Sequence, residues 1–316
     1  MSTMHAVRAH TRGGPEQLVY EESSRPEPGR GEALVAVRAA SITAGELTWP
    51  ATWTDSLDGS GRDRTPTIPS HEMSGIVAGL GPGVSTPVVG DAVYGLIPFV
   101  HDGAAAEYVS VPADVLAAKP KTLDHTEAAA VPLAALTVWQ ALVDHAALEP
   151  GQQVLIQGGA GGVGSFAVQM AAALGARVTA TASTSDLDFV AHLGADEVID
   201  RTTQRFEDHV RDADVVIDLV GGETQTRSWN VLRPGGVLVG IAAPPDPEQA
   251  AARGARGVFF IVEPHRDQLE KITELIDGGK LRPMVDRVVP LPRTRAAYEA
   301  LEKEHPRGKV VIDIAP

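Results

Sequence analysis

The sequence predicts an α/β protein in which a β-rich domain is followed by a doubly wound parallel sheet. Short apolar runs separated by Gly and Pro fill the first third of the 316-residue chain. Strand-like and helix-like segments then alternate, and a glycine-rich segment opens one of the helices. This length suits about two domains and a sizeable core.

The β-rich part is predicted from four alternating apolar runs. Dipeptides that favour turns, such as Pro-Gly and Gly-Asp, separate them, and no strong helical pattern intervenes. The runs cover residues 33–39, 75–78, 92–96 and 108–111. Many short strands with turn signals favour a compact barrel or sandwich.

The second part is predicted from a regular strand–helix alternation. The strands are expected over residues 154–157, 177–181, 197–199, 214–219 and 237–241, and the helices over 162–174 and 186–193. Such a βαβαβ order is typical of a parallel sheet covered on both faces. The tail adds a strand at 258–262, a helix at 265–278 and a strand at 309–314. It either extends this sheet or returns to the first domain.

Composition excludes several classes of function. The chain has 41 acidic and 27 basic residues, a net charge of −14, which repels phosphate backbones and disfavours nucleic acid as a partner. The absence of Cys excludes disulfides, thiolate nucleophiles and cysteine-ligated metals. No secretory signal or long apolar run is visible, so we expect a cytoplasmic protein without a membrane partner.

A dinucleotide-binding loop is the strongest local signal. Gly159, Gly161 and Gly164 form a G-x-G-x-x-G pattern between a predicted strand and a predicted helix. The glycines permit a tight turn, close approach of backbone amides to a pyrophosphate, and close helix–strand packing. Gly162 and Val163 complete the predicted contact at the helix N-terminus. The alternative is a glycine-rich turn without a ligand.

The next strand favours NADPH as the cofactor. An NAD site usually has Asp or Glu about 20 residues after the loop, whereas residues 179–185 carry only Ala, Ser and Thr. Ser183 and Thr184 are therefore candidate contacts of a 2′-phosphate, with Arg201 as the cation. The alternative is that these are ordinary solvated turn residues.

An ordered set of motifs resembles the medium-chain dehydrogenase/reductase superfamily, in particular its zinc-free quinone oxidoreductase branch. The motifs lie at residues 90–95, 106–109, 132–142, 158–164, 193–196, 232–236 and 307–311. The resemblance implies a GroES-like catalytic domain formed by residues 1–118 and completed by 259–316. It also implies a Rossmann domain over 119–258 that binds NADPH, and a homodimer.

The resemblance also implies roles for single residues. Thr137 would contact the nicotinamide ribose or phosphate, although a helix hydroxyl can equally bond its own backbone. Phe260 and Val262 would place backbone groups at the carboxamide, although the pattern by itself indicates only a buried strand. The family often has Asn at the position of Thr43 and Tyr near Thr48, and both are replaced here.

The sequence predicts no metal site. His71 and Glu72 resemble the Gly-His-Glu motif of zinc-dependent relatives, but a catalytic zinc needs three protein ligands. The other two ligands would be expected at Thr43 and Leu133, whose side chains are unsuitable. His71 then either lines the cleft or forms hydrogen bonds within the first domain.

The sequence therefore predicts an NADPH-dependent reductase of quinones or α,β-unsaturated carbonyls. Thr43, Glu46, Thr48 and His71 are the candidate catalytic residues. Thr43 or backbone amides would polarise the carbonyl, and Glu46 and His71 would relay a proton. Two alternatives stay open: an enoyl reductase for a polyketide-like or acyl intermediate, and an NADPH-binding protein without turnover.

Overall fold

The computed structural model describes residues 2–54 and 59–314, which contain 15 strands and nine helices. The strands are β1 (Thr3–Ala9), β2 (Leu18–Ser24), β3 (Glu32–Ile42), β4 (Glu72–Leu80), β5 (Ala92–Leu96), β6 (Tyr108–Pro112), β7 (Ala117–Ala118), β8 (Gln153–Gln157), β9 (Arg177–Ala182), β10 (Glu197–Asp200), β11 (Ala213–Asp218), β12 (Leu232–Gly240), β13 (Arg256–Phe259), β14 (Val285–Pro290) and β15 (Lys309–Asp313). The helices are α1 (Pro50–Trp53), α2 (His125–Ala129), α3 (Pro132–Trp139), α4 (Gly162–Ala173), α5 (Leu187–His192), α6 (Gly222–Ser228), α7 (Pro247–Arg253), α8 (Arg266–Asp277) and α9 (Thr294–Leu301).

The chain divides into two compact units. The first unit comprises residues 1–133, 263–277 and 283–316, and the second comprises 134–262 and 278–282. These bounds differ from the predicted changes of domain after residues 118 and 258. The short helix α2 packs against β3 and β4, which keeps the chain up to residue 133 with the first unit.

The first unit is built on a seven-stranded sheet with β3 at its centre. The strand order is β14-β15-β3-β4-β5-β7, β6 also pairs with β3, and β1 and β2 form a separate antiparallel pair. The four predicted strands of the β-rich part lie within β3, β4, β5 and β6. Inward-facing residues of β3 such as Val35 and Val37 are buried in the core of this unit.

The C-terminal tail returns to the first unit. β15 pairs antiparallel with β3, and β14 pairs parallel with β15. Gly308 directs the chain into β15 with a φ of +95°, and a Cβ at this residue would lie 2.1 Å from the Met284 carbonyl oxygen. Glycine is required at this position because any side chain would overlap that backbone.

The second unit is a doubly wound parallel sheet, as the sequence predicts. Its strand order is β10-β9-β8-β11-β12-β13, and every neighbouring pair is parallel. The order reverses between β8 and β11, and ligands of such sheets bind beyond the carboxyl ends of the strands at this reversal. The predicted strand over residues 258–262 is wrong in its second half, because β13 ends at Phe259.

Within the described ranges, no helix combines the length and apolar character that crossing a bilayer requires.

Candidate functional site

The loop between β8 and α4 brings the predicted glycines together at the carboxyl end of β8. A Cβ at Gly164 would lie 2.0 Å from the carbonyl oxygen of Gly158, so glycine permits the close approach of α4 to this loop. A Cβ at Gly159 would lie 3.0 Å from Val190 and 3.1 Å from Ala180. These two glycines are therefore explained by packing within the second unit.

Gly161 is different because it faces open space. A Cβ at this residue would have no heavy atom within 4 Å, although its φ of −73° suits any residue. Gly161 is the N-cap of α4 and provides no side-chain cap. The first N–H groups of the helix, including those of Gly162 and Val163, have no intrahelical acceptor and favour an anion. The loop therefore fits the pyrophosphate of a dinucleotide.

The hydroxyls predicted to contact a 2′-phosphate already donate to carboxylates. Ser183 Oγ donates to Asp186, and Thr184 Oγ1 donates to Asp200 Oδ2 at 2.6 Å. Hydrogen bonds from Thr184 and Thr202 lower the pKa of Asp200 to about 2, so its carboxylate remains charged. The carboxylates of Asp186 and Asp200 therefore lie beside the two hydroxyls that the sequence predicts to contact a phosphate.

Arg201 lies directly after β10 and is exposed. Its backbone N–H donates to Ala182 O at 2.9 Å, which places it beside the end of β9. Within the described ranges, its guanidinium has no hydrogen bond or ion pair. It is therefore a cation available to a ligand at this edge of the sheet.

The three residues implied by family resemblance lie in the second unit. Thr137 is buried in α3, which continues into a π-helical turn over Gln140–His145. The Phe260 ring lies 4.4 Å from the ring of His145, and Val262 is half-buried. Phe260 and Val262 follow β13 rather than lying within it.

A buried carboxylate, Glu46, organises the candidate catalytic residues of the first unit. Its Oε1 accepts from the Ser70 backbone N–H at 2.7 Å and lies 3.1 Å from His71 Nδ1. Its Oε2 accepts from the Tyr298 hydroxyl at 2.8 Å. Burial by itself would raise the pKa of Glu46, but the hydrogen bonds and charge of these partners outweigh it and lower this pKa.

His71 forms hydrogen bonds within the first unit, which is one of the two roles expected for it. The residue is 1% exposed, and its Nε2 lies 3.2 Å from the carbonyl oxygen of His101. Both ring nitrogens therefore face oxygen acceptors. Because Glu46 and His71 are both buried and engaged, they hold their segments together rather than facing a ligand.

Tyr298 was missed by the sequence reasoning. Burial, reinforced by the charge of Glu46, raises the pKa of the Tyr298 hydroxyl well above its usual range, so the group stays protonated and donates. Tyr298 lies on α9, 252 residues from Glu46 along the chain. No local pattern connects two residues at that separation.

A second buried carboxylate, Glu72, is paired with Lys309. Their charged atoms lie 2.6 Å apart, and the Leu133 backbone N–H donates to the other Glu72 oxygen at 2.9 Å. Burial raises the pKa of Glu72, and the ammonium of Lys309 partly offsets this rise. Lys309 Nζ also donates to Thr43 Oγ1 at 3.0 Å.

The fourth candidate catalytic residue, Thr48, is exposed, and its hydroxyl donates to Gly45 O at 2.7 Å.

The side chains of Thr43, His71 and Leu133 do not fit a catalytic zinc. Thr43 and Leu133 supply no suitable ligand, and both nitrogens of His71 face protein oxygens. Residues 2–54 and 59–314 contain no group of three His, Asp or Glu side chains that could hold a metal ion. The sequence has no Cys to complete such a site.

The two units thus define a dinucleotide-dependent oxidoreductase. Residues 29–121 match the alcohol dehydrogenase GroES-like domain, and residues 193–312 match a family described as zinc-binding dehydrogenase. Residues 141–244 match the C-terminal domain of alanine dehydrogenase/PNT.

Three known proteins show similarity over most of the chain. A "probable zinc-binding oxidoreductase, mitochondrial" of Arthroderma benhamiae is 35% identical, over 92% of each chain. An "NADPH-dependent alkenal/one oxidoreductase, chloroplastic" of Arabidopsis thaliana is 35% identical, over 78% of this chain and 64% of the relative. The structure of the quinone oxidoreductase from Coxiella burnetii is 30% identical, with a TM-score of 0.90 over 99% of this chain and 100% of that one. The chain belongs to the medium-chain dehydrogenase/reductase superfamily, as its motifs indicate.

We predict that Gly161→Ala weakens dinucleotide binding without unfolding the protein. The new methyl group would enter the space that a pyrophosphate requires, so the Kd for NADPH should rise about tenfold, or roughly 1.4 kcal/mol. Stability should change by less than about 1 kcal/mol, the usual range for an N-cap substitution. Nicotinamide fluorescence titration and thermal melting measure the two effects.

Gly79→Ala is the matched control for Gly161→Ala, because Gly79 belongs to the first unit and a Cβ there would lie 3.8 Å from Leu34, an ordinary van der Waals contact. It should change neither quantity. Unchanged NADPH affinity in Gly161→Ala would show that the dinucleotide does not lie against Gly161.

We predict that Tyr298→Phe makes the protein more sensitive to acid. The lowered pKa of Glu46 gives stability that is present above its unfolded value, near 4.5, and is lost as pH falls through the folded value. Loss of the Tyr298 hydrogen bond raises the folded pKa, so acid unfolding should begin at a higher pH. At neutral pH the variant should lose about 1.5–3 kcal/mol, as for a hydrogen bond to a charged group.

Circular dichroism during acid titration tests the Tyr298 prediction. Tyr20→Phe is the control, because Tyr20 is 41% exposed and is distant in sequence from this cluster. If both variants unfold at the same pH as the unmodified protein, Tyr298 does not stabilise the charge of Glu46.

Proposed function

We propose that the protein is an NADPH-dependent reductase that transfers a hydride to a quinone or an α,β-unsaturated carbonyl without zinc. The observation that carries this proposal is that one chain contains both a loop that fits a pyrophosphate and, at a position expected for a metal ligand, the hydroxyl of Thr43. The likeness to quinone and alkenal oxidoreductases supports the zinc-free branch and the substrate class. Both substrates present an electron-poor carbon conjugated to a carbonyl.

The residues divide the work between holding the cofactor and activating the substrate. A reduced nicotinamide, when bound, supplies the hydride. Gly161, Gly162 and Val163 would hold the pyrophosphate through backbone groups at the start of α4. Thr43 would donate a hydrogen bond to the carbonyl oxygen, where negative charge develops. Solvent would supply the final proton, since Glu46 and His71 are buried among protein partners.

NADPH is the proposed donor because of Arg201. Its free guanidinium suits a 2′-phosphate through charge-assisted hydrogen bonds. The carboxylates of Asp186 and Asp200 oppose this preference, because they accept from Ser183 and Thr184. Selection of NADPH would therefore rest on Arg201 rather than on the two hydroxyls.

The proposed activity predicts rapid NADPH oxidation by the purified, chelator-treated protein. The panel consists of ortho-quinones, para-quinones, simple enones and enoyl thioesters. We expect turnover of quinones or enones, with little loss after chelation and a lower KM for NADPH than for NADH. Activity confined to thioesters would instead identify an enoyl reductase of acyl intermediates. Tight NADPH binding without turnover would identify a binding protein and contradict the proposal.

A charge-matched pair of variants tests the cofactor part of this assay. Arg201→Ala should weaken NADPH binding about tenfold to a hundredfold, as expected for the roughly 1.5–3 kcal/mol of a charged hydrogen bond, and leave NADH binding unchanged. Arg205→Ala removes an equal charge from the same surface, where Arg205 faces Glu207 at 3.5 Å, and should have little effect. Equal NADPH binding in both variants would remove Arg201 from the site.

We also propose that the protein forms a homodimer through β13. This strand is at the edge of the second unit's sheet, and Phe259 and Ile261 are 45% and 50% exposed. An open edge with apolar side chains favours pairing with a second chain. Analytical ultracentrifugation should give a dimer that Phe259→Ser with Ile261→Ser converts to monomer. A monomeric unmodified protein would contradict this proposal.

The cytoplasmic location stays a prediction, since two of the relatives are named as mitochondrial and chloroplastic.

A further inference from the structure

The last strand places Lys309 beside Thr43. In the antiparallel pairing of β15 with β3, Val310 lies opposite Ile42. Lys309 precedes Val310 and Thr43 follows Ile42, so the two residues continue the same register. Their proximity is therefore determined by the backbone pairing of the sheet.

The ammonium group of Lys309 is buried and held in place. The residue is 4% exposed, and its Nζ lies 2.6 Å from Glu72 Oε1 and 3.0 Å from Thr43 Oγ1. Glu72 is in turn held by the backbone N–H of Leu133. Lys309 consequently approaches Thr43 from a defined direction.

This contact determines which way the Thr43 hydroxyl donates. An ammonium has three donors and no acceptor, so Thr43 Oγ1 must accept from Lys309. The hydrogen of the hydroxyl is then directed elsewhere, and no residue in the described part of the chain accepts it. Thr43 is half-buried, so the residue is partly open to solvent, and its hydroxyl hydrogen is not used by the protein contacts given above.

We propose that Lys309 is a positioning residue that commits the Thr43 hydroxyl to donate to the carbonyl oxygen of the substrate. The inference rests on the proposed reduction of quinones or enones and adds the residue that prepares the site for it. Without Lys309, the hydroxyl could rotate and accept a hydrogen bond. With it, Thr43 is polarised by a neighbouring positive charge before the substrate arrives.

The reaction is balanced without a proton leaving either residue. The β carbon of an enone gains a hydride, comprising one proton and two electrons, and the nicotinamide becomes oxidised. The electron pair of the C=C bond moves toward the carbonyl oxygen, and a solvent proton then bonds to the α carbon. The charge on oxygen strengthens the hydrogen bond from Thr43, so the contact stabilises the transition state more than the ground state.

The first test compares two substitutions of Thr43 in the full-length protein with bound NADPH. Thr43→Val removes the hydroxyl at nearly constant shape, and Thr43→Ser retains it. We expect Thr43→Val to lower kcat about a hundredfold, as when one oxyanion donor is removed, with KM and NADPH affinity little changed. Thr43→Ser should recover most of the rate. Equal rates in the unmodified protein and Thr43→Val would overturn the inference.

The second test asks whether Lys309 acts through Thr43. Lys309→Met is combined with Glu72→Gln, because removing only one charge would leave the other buried and uncompensated. We expect this double variant to fold and to lose kcat, and the addition of Thr43→Val to cause little further loss. Rate losses that simply multiply would show independent roles and overturn the inference.

A spectroscopic measurement separates this inference from the proposed function. The probe is a saturated ketone, labelled with ¹³C at the carbonyl, bound together with NADP⁺. Its infrared carbonyl stretch should lie at a lower frequency in the unmodified protein and in Thr43→Ser than in Thr43→Val and the Lys309→Met, Glu72→Gln variant. Equal frequencies in all four proteins would overturn the inference. Failure of the unmodified protein to reduce any acceptor would instead contradict the proposed function.

Discussion

Two buried carboxylates, Glu46 and Glu72, determine how the first unit is assembled. A buried charge is stable only where protein groups replace its hydration. Glu46 obtains those groups from His71 and from Tyr298 on α9, and Glu72 obtains them from Lys309 on β15 and the Leu133 backbone. Removing one member of a buried ion pair typically costs about 3–5 kcal/mol. The C-terminal segment is therefore integral to the unit that the N-terminal segment begins.

The same interactions determine the chemistry available to this unit. Thr43, His71 and Leu133 occupy the positions at which zinc-dependent relatives are expected to have metal ligands. Here Thr43 contacts Lys309, His71 contacts Glu46, and the Leu133 backbone contacts Glu72. A hydroxyl supported by an ammonium polarises a carbonyl less strongly than a metal ion does. The proposed role of Thr43 therefore favours acceptors that are already electron-poor, such as the proposed quinone or enone substrates.

Local patterns predict those parts of the molecule that are determined locally. The parallel sheet and the glycine loop follow from apolar runs and from Gly159, Gly161 and Gly164, because neighbours in sequence specify both. The partners of Glu46 and Glu72 were missed, since Tyr298 and Lys309 are brought to them by tertiary pairing. The hydrogen bond from Thr184 to Asp200 was also missed, because the pairing of β9 with β10 brings these two residues together. The excess length predicted for the strand at 258–262 arose from apolar residues that continue past the end of β13.

The return of β15 to β3 also has a consequence for synthesis of the chain. β3 is complete once Ile42 has been made, but its partner begins only at Lys309. At roughly 5–20 residues per second, translation leaves residues 39–42 of β3 without this partner for tens of seconds. Residues 134–262, which form most of the second unit, emerge during this interval and have their own sheet to complete. The nascent chain therefore exposes an open, apolar strand edge until β15 is made, and during this interval we expect it to depend most on chaperones.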